Sequence, residues 1–319
     1  MRLPRFLLAL TASVLPALAC AETALVLNSA DETVSFVDTV AYKETGRAPA
    51  CKEPHHLMST PDDSSVIVAC AISNELVFFD PRNGKEHKRL HGISDPYQLG
   101  FSPDNKWFVA NSLRLDRVDL YTAADFKLVA RVPAAKTPSH MAFDKASQFV
   151  FITLQDSNEV LAIDLKTQQP LWKLPVGPTP AGIHMTPDDK YLLVGIMGAD
   201  YVEVIDWRAR KTVKRIVTDK AAHNFLARGD GRHVFVSNRT VRGSISLVDM
   251  QTLSVVEKYD VPGGPDDMEI RADGKELWAT ARFARKVQVV DLEQKKLARS
   301  IPVGRSPHGV FFLNHAPRQ

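Results

Sequence analysis

Pro96-Tyr97-Gln98-Leu99-Gly100-Phe101 is a proline followed by a short, mostly apolar strand, and the 319-residue chain repeats that device along its length. Prolines in the same setting are Pro54, Pro96, Pro138, Pro180, Pro265 and Pro307, with Ala222 in the slot between Pro180 and Pro265. Successive intervals are 42, 42, 42, 42, 43 and 42 residues. A period that constant marks a repeat architecture, each copy being one supersecondary unit that buries its faces against its neighbours.

Every copy has the same internal plan. The proline strand runs into a turn such as Thr60-Pro61-Asp62-Asp63, Ser102-Pro103-Asp104-Asn105 or Ala272-Asp273-Gly274-Lys275, where Pro, Asp, Asn and Gly suit a tight hairpin. A second strand follows, rich in β-branched and aromatic residues, as in Phe149-Val150-Phe151-Ile152 or Tyr191-Leu192-Leu193-Val194. A third strand ends at Asp38, Asp80, Asp164, Asp206, Asp249 or Asp291, with Thr122 in the third copy. These aspartates read as turn formers. A fourth strand, such as 127–132 or 211–216, completes the unit. Four antiparallel strands in about 40–45 residues predict an all-β propeller blade.

Third-strand markers count seven blades. The first copy has a second strand (24–28) and a third (33–38) but no proline strand, whereas the last proline strand (307–313) has no blade after it. The economical arrangement is a closed ring in which the C-terminal strand completes the N-terminal blade and leaves no open edge.

The second strands read Val-Leu-Asn-Ser (26–29), Val-Ala-Cys-Ala (68–71), Val-Ala-Asn-Ser (109–112), Ile-Thr-Leu-Gln (152–155) and Val-Ser-Asn-Arg (236–239). With the proline strand, the Pro-Asp turn and the terminal Asp, they resemble the YVTN-type β-propeller repeat family, which includes the YncE-like periplasmic propellers. More distantly they are similar to the cytochrome d1 haem-domain and quinoprotein-like propellers. The resemblance covers essentially the whole chain after residue 21. It implies a seven-bladed propeller and says little about activity, since one scaffold hosts both binding proteins and enzymes.

Residues 1–21 read as a secretory signal: Arg2 and Arg5, an apolar run from Phe6 to Leu18, then Ala19-Cys20-Ala21. Cleavage after Ala21 is favoured over lipidation at Cys20, because Ala17-Leu18-Ala19 is a poor lipobox. Residues 22–319 are then a single exported propeller domain, with the periplasm as the expected compartment and no membrane span. The full chain carries a formal charge of +3; losing Arg2 and Arg5 leaves 38 basic residues against 37 acidic ones, a charge of +1. That balance gives no support for nucleic-acid binding. The ring is expected to act as a monomer with a small ligand or an envelope protein as partner.

In a propeller the start of each innermost strand and the loop after each second strand share one face, around the mouth of the central channel. The two residues after each proline are His55-His56, Tyr97-Gln98, Ser139-His140, Ala181-Gly182, His223-Asn224, Asp266-Asp267 and His308-Gly309. Five of the ten histidines, His55, His56, His140, His223 and His308, therefore gather on one rim, with His184 close by in sequence. Arg114 and Arg117, Arg239 and Arg242, and Arg282 and Arg285 form Arg-x-x-Arg pairs in equivalent loops of blades three, six and seven. Guanidinium suits carboxylate and phosphate, so these loops are read as an anion-binding sector. The candidate ligand-binding set is these six histidines, these six arginines, Asp266 and Asp267.

Cys51 lies three residues before Pro54, and Cys70 ends the second strand of the same blade. A disulfide is favoured; reduced, Cys51, His55, His56 and Cys70 would be a soft-metal site. The absence of Cys-x-x-Cys-His excludes covalent c-type haem. By resemblance to the cytochrome d1 domains, a metal or haem-like ligand is implied, with no axial histidine singled out. No Gly-x-Ser-x-Gly elbow is present. The enzyme alternative is a metal-dependent lactonase using Asp266, Asp267 and Glu269, or a quinoprotein-related activity. The favoured function is a binding module acting through the channel mouth.

Overall fold

Each sequence repeat folds into one four-stranded antiparallel sheet in the computed structural model, which describes residues 22–318. There are seven such sheets. The expected signal peptide lies outside the described residues. In blade three the strands are Pro96–Phe101, Trp107–Ser112, Arg117–Thr122 and Leu128–Pro133, from the axis outward. The innermost strand of each blade touches that of the next, and Pro307–Phe311 touches Pro54–Ser59 to complete the circuit.

Burial follows distance from the axis. Second and third strands such as Tyr191–Ile196 and Tyr201–Asp206 are buried at all but their ends, because both faces pack on neighbouring blades. Their near-continuous Val, Ile and Leu content is what two covered faces require. The outermost strand Lys211–Val217 buries only Ile216 and carries lysine and arginine along an otherwise open edge, a common guard against edge-to-edge pairing. Apolar side chains gather in seven clusters, each at a junction between two blades; Val26, Val37, Trp278 and Val289 join blades one and seven. The core is thus a ring of wedges, as a repeat whose units contact only their neighbours requires.

Ring closure is as expected. Pro307–Phe311 pairs antiparallel with Thr23–Asn28, with Leu25 opposite Phe311 and Val26 opposite Val310. The third-strand aspartates act as turn formers: Asp38 Oδ1 accepts from the amides of Val40 and Ala41, and Asp291 Oδ1 from those of Glu293 and Gln294. Among the described residues no helix is long and apolar enough to cross a membrane.

Candidate functional site

One irregularity of the innermost strands builds the site. In all seven blades the register slips between the first residue of the strand and the fourth, as between Pro96 and Leu99, Pro265 and Met268 or Pro307 and Val310. Such a bulge frees the residues inside it from the ladder and re-aims their side chains. The freed pair is the first and second residue after the proline, so their side chains turn into the channel.

The next-to-last residue of the second strand fixes the bulge. His140 N donates to Thr153 Oγ1 at 3.0 Å, and that hydroxyl donates to the Ala181 carbonyl of the next blade at 2.6 Å. Ser237 and Thr280 repeat the device, receiving the amides of Asn224 and Asp267 and donating to the carbonyls of Asp266 and His308. In blade three the Asn111 amide donates to Ser139 O at 2.8 Å. This position is the third letter of Val-Ala-Asn-Ser (109–112) and the second of Ile-Thr-Leu-Gln (152–155) and Val-Ser-Asn-Arg (236–239), so the strand end aligns the copies where the letters do not. Its role as a tie between blades is not legible in the motif, though the polar residue there is.

The freed side chains form a hub. The rings of His55 and His308 lie 3.9 Å apart, His55 and Tyr97 4.1 Å, His56 and His308 4.6 Å, His56 and His140 5.2 Å, and His140 and His223 5.4 Å. All five histidines expected at the rim are therefore joined in one chain of ring contacts, with His223 reached through His140, and none is more than 5% exposed. Seven of their ring nitrogens are buried without a hydrogen-bond partner: Nδ1 of His55, Nε2 of His56 and of His140, and both nitrogens of His223 and of His308. His223 Nδ1 lies 3.1 Å from Asp266 Oδ1 but is not aligned for a bond. Burial lowers all five, His140 to about 4 and the others well below the usual imidazole value, so the cluster is uncharged at neutral pH.

Asp266, fully buried, is the anionic member of the hub. Arg239 Nη1 and Arg282 Nη1 approach its Oδ2 at 3.3 and 3.1 Å, and His308 Nε2 lies 3.7 Å away. Burial alone would raise the carboxyl; the facing His223 ring and the two guanidiniums outweigh it and hold Asp266 well below the usual carboxylate range.

The other expected residues sit elsewhere. Asp267 turns further down the channel, where Asn224 Nδ2 donates to it at 3.3 Å, beside a cavity of about 190 Å³ also lined by His56, Gln98 and Arg318. Glu269 is buried still lower and pairs with Arg318. The three acids thus take different partners: Asp266 the two arginines, Asp267 the Asn224 amide and Glu269 the Arg318 guanidinium. His184 stacks on Phe225 and lines a cavity of about 730 Å³ at the opposite mouth, with Met58, Met141 and Met185. Its position four residues past the proline carries it beyond the bulge.

Of the arginines, only Arg239 and Arg282 reach the hub. Arg114 pairs with Asp95 and Glu53 above blade three. Arg117 opens the third strand and pairs with Asp119 at 2.9 Å, while Arg242 and Arg285 are exposed at the matching place in their blades. The first arginine of each pair follows the second strand inward, and the second has already turned outward. All three inner arginines face carboxylates of the chain itself, Arg114 two of them, whereas Arg239 and Arg282 share the single carboxylate of Asp266 and keep an excess of one positive charge. Cys51 and Cys70 are joined in a disulfide, Cα–Cα 5.8 Å, which removes both thiolates from the candidate metal set. Tyr97 belongs to the hub although histidine counting passes over it, packing on His55 and His56, whereas Gln98 lines the cavity beside Asp267 and its Oε1 accepts from Met141 N at 2.6 Å.

A family model described as YNCE-like beta-propeller matches residues 4–318. The chain belongs to that family. A dihydro-heme d1 dehydrogenase of Pseudomonas aeruginosa is 22% identical over 296 residues, covering 87% of this chain and 59% of that protein. Protein NirF of the same organism is 21% identical over 295 residues, covering 72% of this chain and 75% of its own length. The chain thus spans less than two thirds of the dehydrogenase. A solved structure of a protein of unknown function from Desulfotomaculum acetoxidans superposes with a TM-score of 0.79 at 14% identity, covering 94% of this chain and 100% of that one. At that identity the likeness is one of fold.

Proposed function

We propose that this protein is an exported binding propeller that takes a metal-centred ligand at the histidine hub. The observation that carries the reading is the set of seven buried imidazole nitrogens with no partner. Each unsatisfied buried polar group costs about 1–3 kcal/mol, and native proteins tolerate few of them. A plug needed only for packing would be built from leucine and phenylalanine. Neutral imidazoles with free lone pairs are what a transition-metal ion requires.

Export is supported by the sequence of residues 1–21 and by the Cys51–Cys70 disulfide, which persists in oxidising compartments such as the periplasm. The ligand class in the dehydrogenase's name, a tetrapyrrole, does not fit the hub as it stands. A macrocycle needs an imidazole nitrogen open to a flat face, whereas the seven free nitrogens are sealed and the rings pack 3.9–5.4 Å from one another. A second reading, docking of an envelope protein on the same face, draws on exposed apolar side chains in the loops around the mouth: Ile72, Leu115, Val241 and Phe283.

The test is elemental analysis and an absorption spectrum of protein purified from the envelope fraction. Metal at near-unit stoichiometry, lost in a His55→Gln/His308→Gln double variant that still melts cooperatively, is the expected result. Folded protein that is metal-free, binds no metal on titration and carries an envelope partner would overturn the metal reading in favour of docking.

A further inference from the structure

We infer that His55, His56 and His308 hold one copper ion, as Cu(I), inside the mouth of the channel. This rests on the hub being a ligand site and goes further by naming the ion, its three ligands and the exclusion of a macrocycle. One nitrogen from each ring lies within 4.8 Å of the other two. A triangle with edges of that length has its corners roughly 2.8 Å from the centre, so each ring moves by under about 1 Å to reach the ~2.0–2.1 Å of a metal–imidazole bond. The rings come from two adjacent blades, His55 and His56 from blade two and His308 from the strand that closes blade one. Bulged backbone at the first of these gives room for that movement.

Charge selects the ion. Asp266 is the one carboxylate in contact with the hub among the described residues, and it already faces Arg239 and Arg282. The fixed charge around the histidines is therefore +1 before any ion enters. Burying a further charge away from water grows steeply more costly with its size, so a monovalent ion is favoured over Zn²⁺ or another dication. Cu(I) is the monovalent late metal that neutral imidazoles bind well, and its closed d shell imposes no geometry that three rings cannot supply. The Cys51–Cys70 disulfide leaves no thiolate in this blade to compete for it.

The experiment is anaerobic titration of the whole mature chain with Cu(I) against a chromophoric Cu(I) chelator, with Zn²⁺ as a parallel probe and X-ray absorption of the copper-loaded protein. The expected result is one equivalent of Cu(I) and a first shell of imidazole nitrogens. Affinity should fall at least 100-fold in His308→Gln and remain within threefold in His184→Gln, which sits at the other mouth. Should His308→Gln fail to fold, the absorption spectrum of the wild-type complex decides: sulfur scatterers from the methionines at the opposite mouth would overturn the assignment. Equal or tighter uptake of Zn²⁺ would overturn the choice of ion while leaving a metal site at the hub. Binding of an iron tetrapyrrole but not of Cu(I) would overturn the inference and leave the hub as a ligand site. No uptake of either metal or of the tetrapyrrole by folded protein would overturn the hub reading itself.

Discussion

Asp266 and Asp267 are neighbours in the chain with opposite fates. The bulge directs Asp266 to the two arginines, which keep it ionised, and Asp267 to Asn224, which offers no charge. Burial, with the Asp266 and Glu269 carboxylates adding to it, pushes the Asp267 carboxyl up to about 8. The folded protein then keeps a proton there that the unfolded chain releases near pH 4, so stability is lost as pH rises from about 4 to about 8. Asp267→Asn removes this linkage. The variant should match the wild type in thermal melts at pH 4 and exceed it by on the order of 2 kcal/mol at pH 8, allowing for the water that reaches a partly exposed side chain. Parallel melting curves across that range would show that Asp267 is not held protonated.

At the scale of the strand, the hub depends on the hydroxyl ties. Thr153 bridges His140 N and Ala181 O, so Thr153→Val keeps the shape and leaves a buried donor and acceptor unpaired. That should cost about 2–4 kcal/mol in urea unfolding, with hydrogen exchange rising at His140 before it rises in the outer strands. A loss below 0.5 kcal/mol would mean that the bulge holds itself. The strand level also explains what was legible in the sequence. The 42-residue period and alternating turn signals are local properties, so strand order, blade number and closure could be read directly. The rim histidines could be found because they share a slot after the proline. What the slot does not reveal is direction. His184 lies two residues beyond the bulge and faces the other mouth, and Arg117, Arg242 and Arg285 stand where the loop has turned outward. The pairing of Arg114 with Glu53, 61 residues away, is set by how blades two and three meet, which no local pattern encodes.

At the scale of the molecule, the hub exists only while the ring is closed, because His308 arrives on the closing strand. That strand buries Val310 and Phe311 completely or nearly so, and Phe312 follows it into the seam with Trp278. At about 1.5–3 kcal/mol for each large apolar side chain, their loss alone approaches the 5–15 kcal/mol by which whole domains are stable. Deleting residues 305–319 should therefore abolish cooperative melting and leave a chain that elutes as an aggregate, whereas a truncated protein with an unchanged melting temperature would refute closure as the source of stability. The deletion also removes Arg318, which pairs with Glu269, and Ala316, whose amide donates to Ile270 O at 2.8 Å. A circular permutant separates the two effects. Asn314 N donates to the Glu22 side chain, so residues 305–314 can be joined ahead of Glu22 by a turn like those between the first and second strands of the other blades. With residues 315–318 supplied in neither position, the permutant should regain cooperative melting and the hub, losing only the contribution of the tail. Failure of the permutant to fold would place the stabilising role in the tail instead of the closing strand.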